Sequence, residues 1–423
     1  MLSHNQPIQK YLELITWYCL IAWCIVIGWS TALSNILMVL NTFLVLAFVW
    51  KSHTWNIFKK IIVYPTVVLF LILTVSILWS SDLHQAIFHL KRYLAFILIP
   101  ITLYYWLYAD FSALIKGLRY LGYSLVLAFS ITIIWNIIPT HLGVFLSDTL
   151  HFLVQPFPNS NRALFGWYVP FMERIHFSNL LFYCSLYFFF IYFKTQSLKD
   201  FILFLILFLG PFILGARASM LGAVICIPFM ALYYFSKKSL QVNVYYLGMF
   251  ILFITAVSYV VVPQIKSRYY QTTYELQAIQ DGTYLNKDYK HFATYTRLVS
   301  WKTAKDIYFQ KPILGYGIGD YLEEFQDTYT NHYPNLIVTY HSQWLLFLGI
   351  FGAVGLIFYL GFYLYYWIKF DHTDAVLYIG CFSLYTAIIW FFDAGLLQTK
   401  ELMAFVLFLS FAECLKKLDI SST

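Results

Sequence analysis

The stretch Thr339–Leu360, "TYHSQWLLFLGIFGAVGLIFYL", decides how the whole chain is read. From Trp344 to Leu360 it holds no charged residue, and its apolar character runs on to residue 368. A bilayer crossing needs about 17–25 such residues, so the run is long enough to span. Immediately ahead of it stand His341, Ser342 and Gln343. A titratable imidazole at the mouth of a helix built for lipid raises the question of what it does there.

The rest of the chain has the same character. Of its 423 residues, 61% are hydrophobic and 11% charged, whereas soluble domains carry about 25% charged residues. Aromatics reach 21%, with 36 Tyr and 13 Trp, as suits a chain that crosses many membrane interfaces. The composition excludes a string of soluble domains and predicts an all-α polytopic membrane protein. Its six cysteines (Cys19, Cys24, Cys184, Cys226, Cys381 and Cys414) all lie in apolar stretches, so neither a disulfide framework nor a zinc site is expected. The opening "MLSHNQPIQK" has one basic residue and no small-residue cleavage site, which predicts an uncleaved first anchor.

Hydropathy places spans near 11–33, 35–50, 61–79, 93–109, 115–138, 177–193, 201–214, 218–236, 244–262, 342–368, 375–397 and 401–415, about twelve transmembrane helices. The region 201–236 tests that count. As a single helix its 36 residues would reach ~54 Å, against ~30 Å of hydrocarbon. It must fold back, and "GARAS" (Gly215–Ser219) is the natural place. With the N-terminus inside, the inner face collects thirteen Lys and Arg, among them Lys116, Arg119, Lys194 and Lys199. The short and medium outer loops hold six: Lys91, Arg92, Arg162, Arg174, Arg217 and Lys400. Both termini are therefore expected in the cytoplasm. The net charge of +7 is mostly this bias. No basic stripe interleaves with stacking aromatics, so no nucleic-acid partner is expected.

Three segments follow: 1–262 with spans one to nine, a hydrophilic loop 263–341, and 342–423 with spans ten to twelve and a short cytoplasmic tail. Loops as long as 263–341 are functional or disordered. This one carries helical spacing: "TRLVSWKTAKDIYFQKP" sets Leu298, Trp301, Ala304, Ile307 and Tyr308 on a face stopped by Pro312. "GYGIG" (Gly315–Gly319) is expected to make a flexible turn, and "DYLEEFQDTY" places Tyr321, Phe325 and Tyr329 four apart. A small helical cap on the outer face is predicted.

Two crossings separate Arg217 from the loop, so Arg217, Arg297 and His341 share one membrane face whatever the absolute orientation. Each has a plain reading: a guanidinium snorkelling to headgroups, a solvated loop residue, an interfacial helix cap. Their chemistry supplies another. Guanidinium groups hold phosphate oxygens bidentately and stay charged, and a neutral imidazole accepts a proton from a hydroxyl. Together they suit attack on a carbon whose leaving group is a lipid-linked phosphate or pyrophosphate. The acidic residues of the loop, Glu323, Glu324 and Asp327, form no Asp-x-Asp, and no HExxH occurs, so no metal is expected. "GYGIG" follows a helix, not a strand, and fails as a dinucleotide fingerprint, so no cofactor is expected.

An arginine after a span, a long outer loop with R-x3-W-x2-A…P-x2-G-x-G, and H-[NS]-x2-L…G-x2-G opening the next span resemble the O-antigen ligase and polymerase superfamily. Here the pattern is Arg217; Arg297, Trp301, Ala304, Pro312, Gly315 and Gly317; and His341, Ser342, Gly349 and Gly352. A weaker echo, "GWYVPFMERIHFSNLL" (166–181), keeps Arg174 and Asn179 but has His176 near where a glycine often sits. The resemblance implies a metal-independent, GT-C-like glycosyltransferase of the bacterial inner membrane with its active site facing the periplasm. It would take an undecaprenyl pyrophosphate-linked glycan as donor and the lipid A-core as acceptor. By that resemblance Arg217 and Arg297 bind the donor pyrophosphate and His341 orients or deprotonates the acceptor hydroxyl. Trp301, Gly315, Gly317, Ser342 and Arg174 support them. The O-antigen ligase is the reading preferred; O-antigen polymerase and protein O-oligosaccharyltransferase remain open within the superfamily. A transporter or lipid flippase is the rival from another class, but no internal repeat is found.

The topology is testable. A cysteine placed at Asp281 should react with a membrane-impermeant thiol reagent while the inner membrane is intact; reaction only after that membrane is broken would overturn the orientation.

Overall fold

A computed structural model describes residues 6–52, 61, 64–137, 169–236, 263–282, 293–334, 336, 338–368 and 373–422. Among them the chain is helical with no strand: α1 Gln6–Val26, α2 Thr31–Ser52, α3 Pro65–Val75, α4 Leu83–Arg92, α5 Ala95–Ala109, α6 Phe111–Ile137, α7 Arg174–Thr195, α8 Leu198–Leu214, α9 Arg217–Ser236, α10 Pro263–Gln280, α11 Ala293–Gln310, α12 Tyr321–His332, α13 Gln343–Ile368, α14 Thr373–Phe392 and α15 Thr399–Ser422. Six helical stretches are long and apolar enough to cross a membrane: Thr31–Ser52, Leu83–Ala109, Phe111–Asn136, Arg174–Thr195, Gln343–Tyr365 and Asp374–Phe392. Tyr11–Val26, Pro65–Trp79 and Arg217–Met230 are shorter apolar helices. This is a polytopic membrane protein. The span expected at 244–262, Arg162 and loop residues 283–292 lie outside the described residues.

The helix α7 is the axis of the bundle. Every residue from His176 to Ile191 is buried, as happens to a helix that is apolar all round. It packs along α8 and against α15, α9 and α14, while α9 runs beside α14 and α1 lies against α2 and α6. The fold-back within 201–236 falls at Gly215. It closes α8 with φ 66°, its N–H reaching the Pro211 carbonyl at 3.1 Å, and α9 begins two residues later. A left-handed helix cap is a conformation glycine adopts without a Cβ clash. At the far end of the bundle Arg119 grips Asp200 through two bonds of 3.0 and 2.8 Å, and Lys194 pairs with Asp374. These charges sit at the opposite end from Arg174 and Arg217. Cys19, Cys24, Cys184, Cys226 and Cys381 are buried and form no disulfide.

Two boundaries differ from the hydropathy reading. The first hairpin turns between Val26 and Thr31, not near residue 34, because Ser30 starts α2: its Oγ accepts from Leu33 N and its carbonyl from Ser34 N. A separate helix, α4, precedes the span expected at 93–109. The Asp82 carboxylate caps it by accepting from Gln85 N at 2.9 Å.

The segment Gly315–Gly319 is not a flexible turn but a buried, hydrogen-bonded one. The helix α13 breaks at Gly352, whose φ/ψ of 65°/−172° is open only to glycine. Tyr316 N and Gly317 N donate to the carbonyls of Gly349 and Ile350 at 2.8 and 2.9 Å. Ala353 N and Val354 N donate back to Pro312 and Ile313 carbonyls at 2.8 and 3.3 Å. The expected loop helices form: α12 buries Tyr321, Phe325 and Tyr329, while Glu323 and Asp327 face outward. In α11, Val299, Ser300, Thr303, Ala304 and Ile307 are buried, but Leu298 is 40% exposed.

The break sets a stability test. A Cβ at Gly352 would collide with the Ile313 carbonyl. Gly352→Ala should therefore cost at least ~1–3 kcal/mol, read as a lowered melting temperature of the detergent-purified protein. Gly361→Ala, where no atom lies within 4 Å of the added carbon, should be neutral or slightly stabilising.

Candidate active site

The helix α9 starts at the end of the bundle that meets the cap, and its first residue is Arg217. The guanidinium donates through Nη1 to Thr272 Oγ1 on α10, so the cap holds an arginine of the bundle. Glu275, one turn further along α10, is buried and accepts from Thr294 N at 2.8 Å. A carboxylate there satisfies a donor in the first turn of α11 and matches its positive end. That fixes α11, which carries Arg297 one turn in. Arg297 Nε donates to the Phe392 carbonyl at 3.3 Å, placing a cation at the negative C-terminal end of α14. Trp301 packs edge-on against Phe391, with ring centroids 5.0 Å apart. Arg297 and Trp301 therefore latch onto the same helix end.

Arg217, Thr272, Arg297 and Trp301 line one cavity of about 230 Å³, with Leu221, Leu298 and Phe392 in its wall. Leu221 is 46% exposed, so the cavity combines two guanidinium groups with an apolar lip. Burial and the neighbouring Arg217 lower the Arg297 pKa; Asp393, Glu275 and Glu173 act the other way. An arginine keeps its charge there, where a lysine loses it readily.

His341 sits at the seam between cap and bundle. Its backbone N–H donates to Ser300 Oγ on α11 at 3.0 Å, and its Nδ1 is buried without a hydrogen-bond partner. Burial and the charge of Arg297 push the imidazole down to about 4, opposed by Glu173. It is neutral at pH 7. The next residue, Ser342, has φ 97°, strained for a side chain with a Cβ, and its Oγ caps α13 by accepting from Leu345 N at 3.4 Å. Gln343 pins the far side: its N–H donates to the Asp393 carbonyl and its Oε1 accepts from Leu396 N, both at 3.1 Å.

Of the residues singled out in the sequence, Arg217, Arg297 and Trp301 share the cavity and His341 is close enough to feel the charge of Arg297. Arg174 opens α7 beside Glu173 and acts on its charge. Gly315 and Gly317 do not line the cavity; they seat the cap on α13 and on the turn after α3. Ser342 and Gly349 likewise build the seam, and Gly222 admits the ring of Tyr385 from α14.

A second cluster was not read from the sequence. Glu401, in the first turn of α15, meets His176 Nδ1 through Oε2 and accepts from Asn179 Nδ2 through Oε1 at 3.0 Å. The other ring nitrogen of His176 lies 3.2 Å from Glu173 Oε2. Asn179 Oδ1 in turn accepts from Ser219 Oγ at 2.7 Å and Tyr385 OH at 2.9 Å. The available signal was a carboxylate standing at the start of an apolar run, which needs a partner. Among the described residues no cluster of His, Cys, Asp and Glu has the arrangement of a metal site.

These features define a polytopic membrane protein with a cavity at one end of its bundle that two arginines line, next to a neutral imidazole. Residues 202–360, less than half of the chain, match the family model described as O-antigen ligase, and the match supports a likeness to the O-antigen ligase/polymerase superfamily. The match takes in Arg217, Arg297 and His341. Members of the family are glycosyltransferase-like enzymes. No curated protein matches the chain.

The cavity makes its own test. Arg217→Lys and Arg297→Lys keep a positive charge but lose the bidentate fork, and each should weaken binding of inorganic pyrophosphate by ~10-fold or more, measured by calorimetry. Trp301→Ala should partly mimic the loss of Arg297. Lys302→Ala, exposed on another face of α11, should bind as the unchanged protein does.

Proposed function

We propose that this chain is an O-antigen ligase, moving a polysaccharide from undecaprenyl pyrophosphate to the lipid A-core on the periplasmic face of the inner membrane. The observation that carries this reading is the shared cavity of Arg217 and Arg297. A pyrophosphate on a polyprenyl chain has two ends with opposite needs: oxygens that require fixed cations, and a tail that must stay in lipid. The two guanidiniums suit the first and the exposed apolar lip at Leu221 and Leu298 the second. The start of α9, at Arg217 and Ala218, adds a helix N-terminus to the anion's surroundings.

In the reaction the acceptor hydroxyl attacks the anomeric carbon. The bond from that carbon to the pyrophosphate oxygen breaks, and the departing charge falls on Arg217 and Arg297. Fixed cations aimed at developing charge in a water-poor site are the strongest aid a protein can give such a step. His341, neutral at pH 7, orients or deprotonates the hydroxyl. Two guanidiniums do the work a divalent cation does elsewhere, so the reading includes turnover without metal. The cap, α10 to α12, lies in the periplasm and closes the cavity from above, and the bundle completes about twelve spans.

A strain lacking the gene should lose the high-molecular-weight lipopolysaccharide ladder and accumulate lipid-linked polymer. A core bearing a single repeat unit would mean a polymerase instead, and an intact ladder with unmodified glycoproteins a protein transferase. Purified protein with donor and acceptor should turn over in EDTA; activity that vanished and returned with magnesium would refute the arginine mechanism. His341→Ala should lower transfer by ~10²-fold or more with donor binding retained.

A further inference from the structure

We propose that Glu173, held in place by the buried His176–Glu401 pair, is the group that takes the proton from the acceptor hydroxyl, leaving His341 to orient it. The proposal rests on the reading of the site as a glycosyl-transfer centre.

Glu173 is the residue just before α7, at the outer end of the bundle's central helix. Its side chain is 58% exposed, yet its Oε2 is tied to His176 Nε2 at 3.2 Å. The carboxylate is thus open toward the aqueous end and still fixed in direction. The network behind it reaches the cavity wall: Asn179, bound to Glu401, accepts from Ser219 Oγ in the first turn of α9, two residues after Arg217. The Glu173 charge also acts on both His341 and Arg297. The hydrogen bond from His176 holds Glu173 ionised, with its pKa below the usual carboxylate value; burial opposes this, and Arg174 and His341 assist.

What lies behind Glu173 is built too thoroughly for a helix cap alone. Each ring nitrogen of His176 faces a carboxylate, Glu173 on one side and Glu401 on the other. Glu401 is 1% exposed and is satisfied by His176 and Asn179, whose carbonyl oxygen is fixed by Ser219 and Tyr385. The neighbouring Lys400 donates to the Phe171 carbonyl at 2.8 Å and the Trp29 carbonyl at 3.0 Å, clamping the strand of chain that leads into Glu173. Even the backbone makes room: a Cβ on Gly395 would collide with the Glu401 carboxylate. Burying such charges in a bundle is costly unless they are paired, and the pairing here points outward through one imidazole to one exposed carboxylate.

The chemistry favours this carboxylate over His341. Protonating His341 adds a third positive charge beside Arg217 and Arg297, whereas protonating Glu173 removes a negative one. In the step, the hydroxyl oxygen forms its bond to the anomeric carbon and its proton moves to Glu173. The electron pair of the broken carbon–oxygen bond leaves with the pyrophosphate. His176 and Glu401 are positioning residues; neither touches the substrate.

The test uses the full-length protein in lipid nanodiscs, with the donor and acceptor that the unchanged protein accepts. Glu173→Gln should lower kcat by ~10²-fold or more with the donor KM unchanged. Glu173→Ala should regain ~10-fold or more of its activity in formate, a small carboxylate that replaces the missing base, while His341→Ala should gain nothing. His176→Gln should lower kcat by ~10-fold, yet add little to the loss already caused by Glu173→Gln, as expected when both changes remove one function. A purely structural pair would instead give additive losses and no response to formate. Wild-type kcat in Glu173→Gln, or a loss that formate does not restore and that raises the donor KM, overturns the assignment alone. No transfer by the unchanged protein would overturn the reading of the site, and this assignment with it.

Discussion

The outer half of the molecule depends on a break in one membrane helix. At Gly352 the helix α13 interrupts its own hydrogen bonding, and the Gly349 and Ile350 carbonyls and the Ala353 and Val354 N–H groups around the break pair with residues 312–317. In hydrocarbon an unpaired backbone group costs several kcal/mol, so broken helices persist only where protein covers them. Helix and loop are obligatory partners, and the cap cannot drift from the bundle. Its other side is tied as firmly: Asp320 accepts from Ser81 N, Ser81 Oγ and Asp82 N at 2.7, 2.9 and 3.0 Å, while Ile318 N and Gly319 N donate to Ser76 and Ser80. Because α11 runs directly into this anchored segment, Arg297 and Ser300 are held in register with the bundle, and through Ser300 so is His341.

The charges around the cavity then follow from placement. Arg217 and Arg297 repel one another, and burial adds to the cost of Arg297. Glu173, Glu275 and Asp393 offset it from three separate elements. The balance explains how two like charges are kept facing one small space before any anion arrives. It also bears on the state of His341: burial, with the charge of Arg297 added, keeps the imidazole uncharged. One electrostatic arrangement thus sets both the positive charge that faces the cavity and the uncharged state of the imidazole beside it.

Much of this was legible in the chain itself. The 201–236 run was too long for one crossing, and Gly215 was where it had to turn. The spacing of Tyr321, Phe325 and Tyr329 announced the buried face of α12. Arg217, Arg297 and His341 stood out because they fall on one membrane face and their chemistry together suits a phosphate and a hydroxyl. Hydropathy could not show α4, whose start is set by a single Asp82 cap, or the true corner at Ser30. Nor could it show that Gly315–Gly319 was rigid, since the partners of that segment lie some thirty residues away at Gly349–Val354. The Glu173–His176–Glu401 chain was hidden for the same reason: its halves are 225 residues apart. His176 registered only as standing near where the resembled family often has a glycine, and its two carboxylate partners were out of sight.

Ser342 brings these constraints to one point. A non-glycine residue at φ 97° costs about 1–3 kcal/mol, and such strain survives only where both flanks are over-determined. Here they are. His341 is tied to the cap through Ser300, and Gln343 to the end of α14 through Asp393 and to the following turn through Leu396. The cap and α14 meet again at Arg297 and Phe392, so the two bodies that flank Ser342 both line the cavity, with α9 as its third wall. Relaxing Ser342 would loosen the register of the cap on α14, and with it the position of Arg297 relative to Arg217 on α9. Strain at the residue after the histidine is therefore held by the same contacts that line one side of the cavity and place the imidazole at its edge.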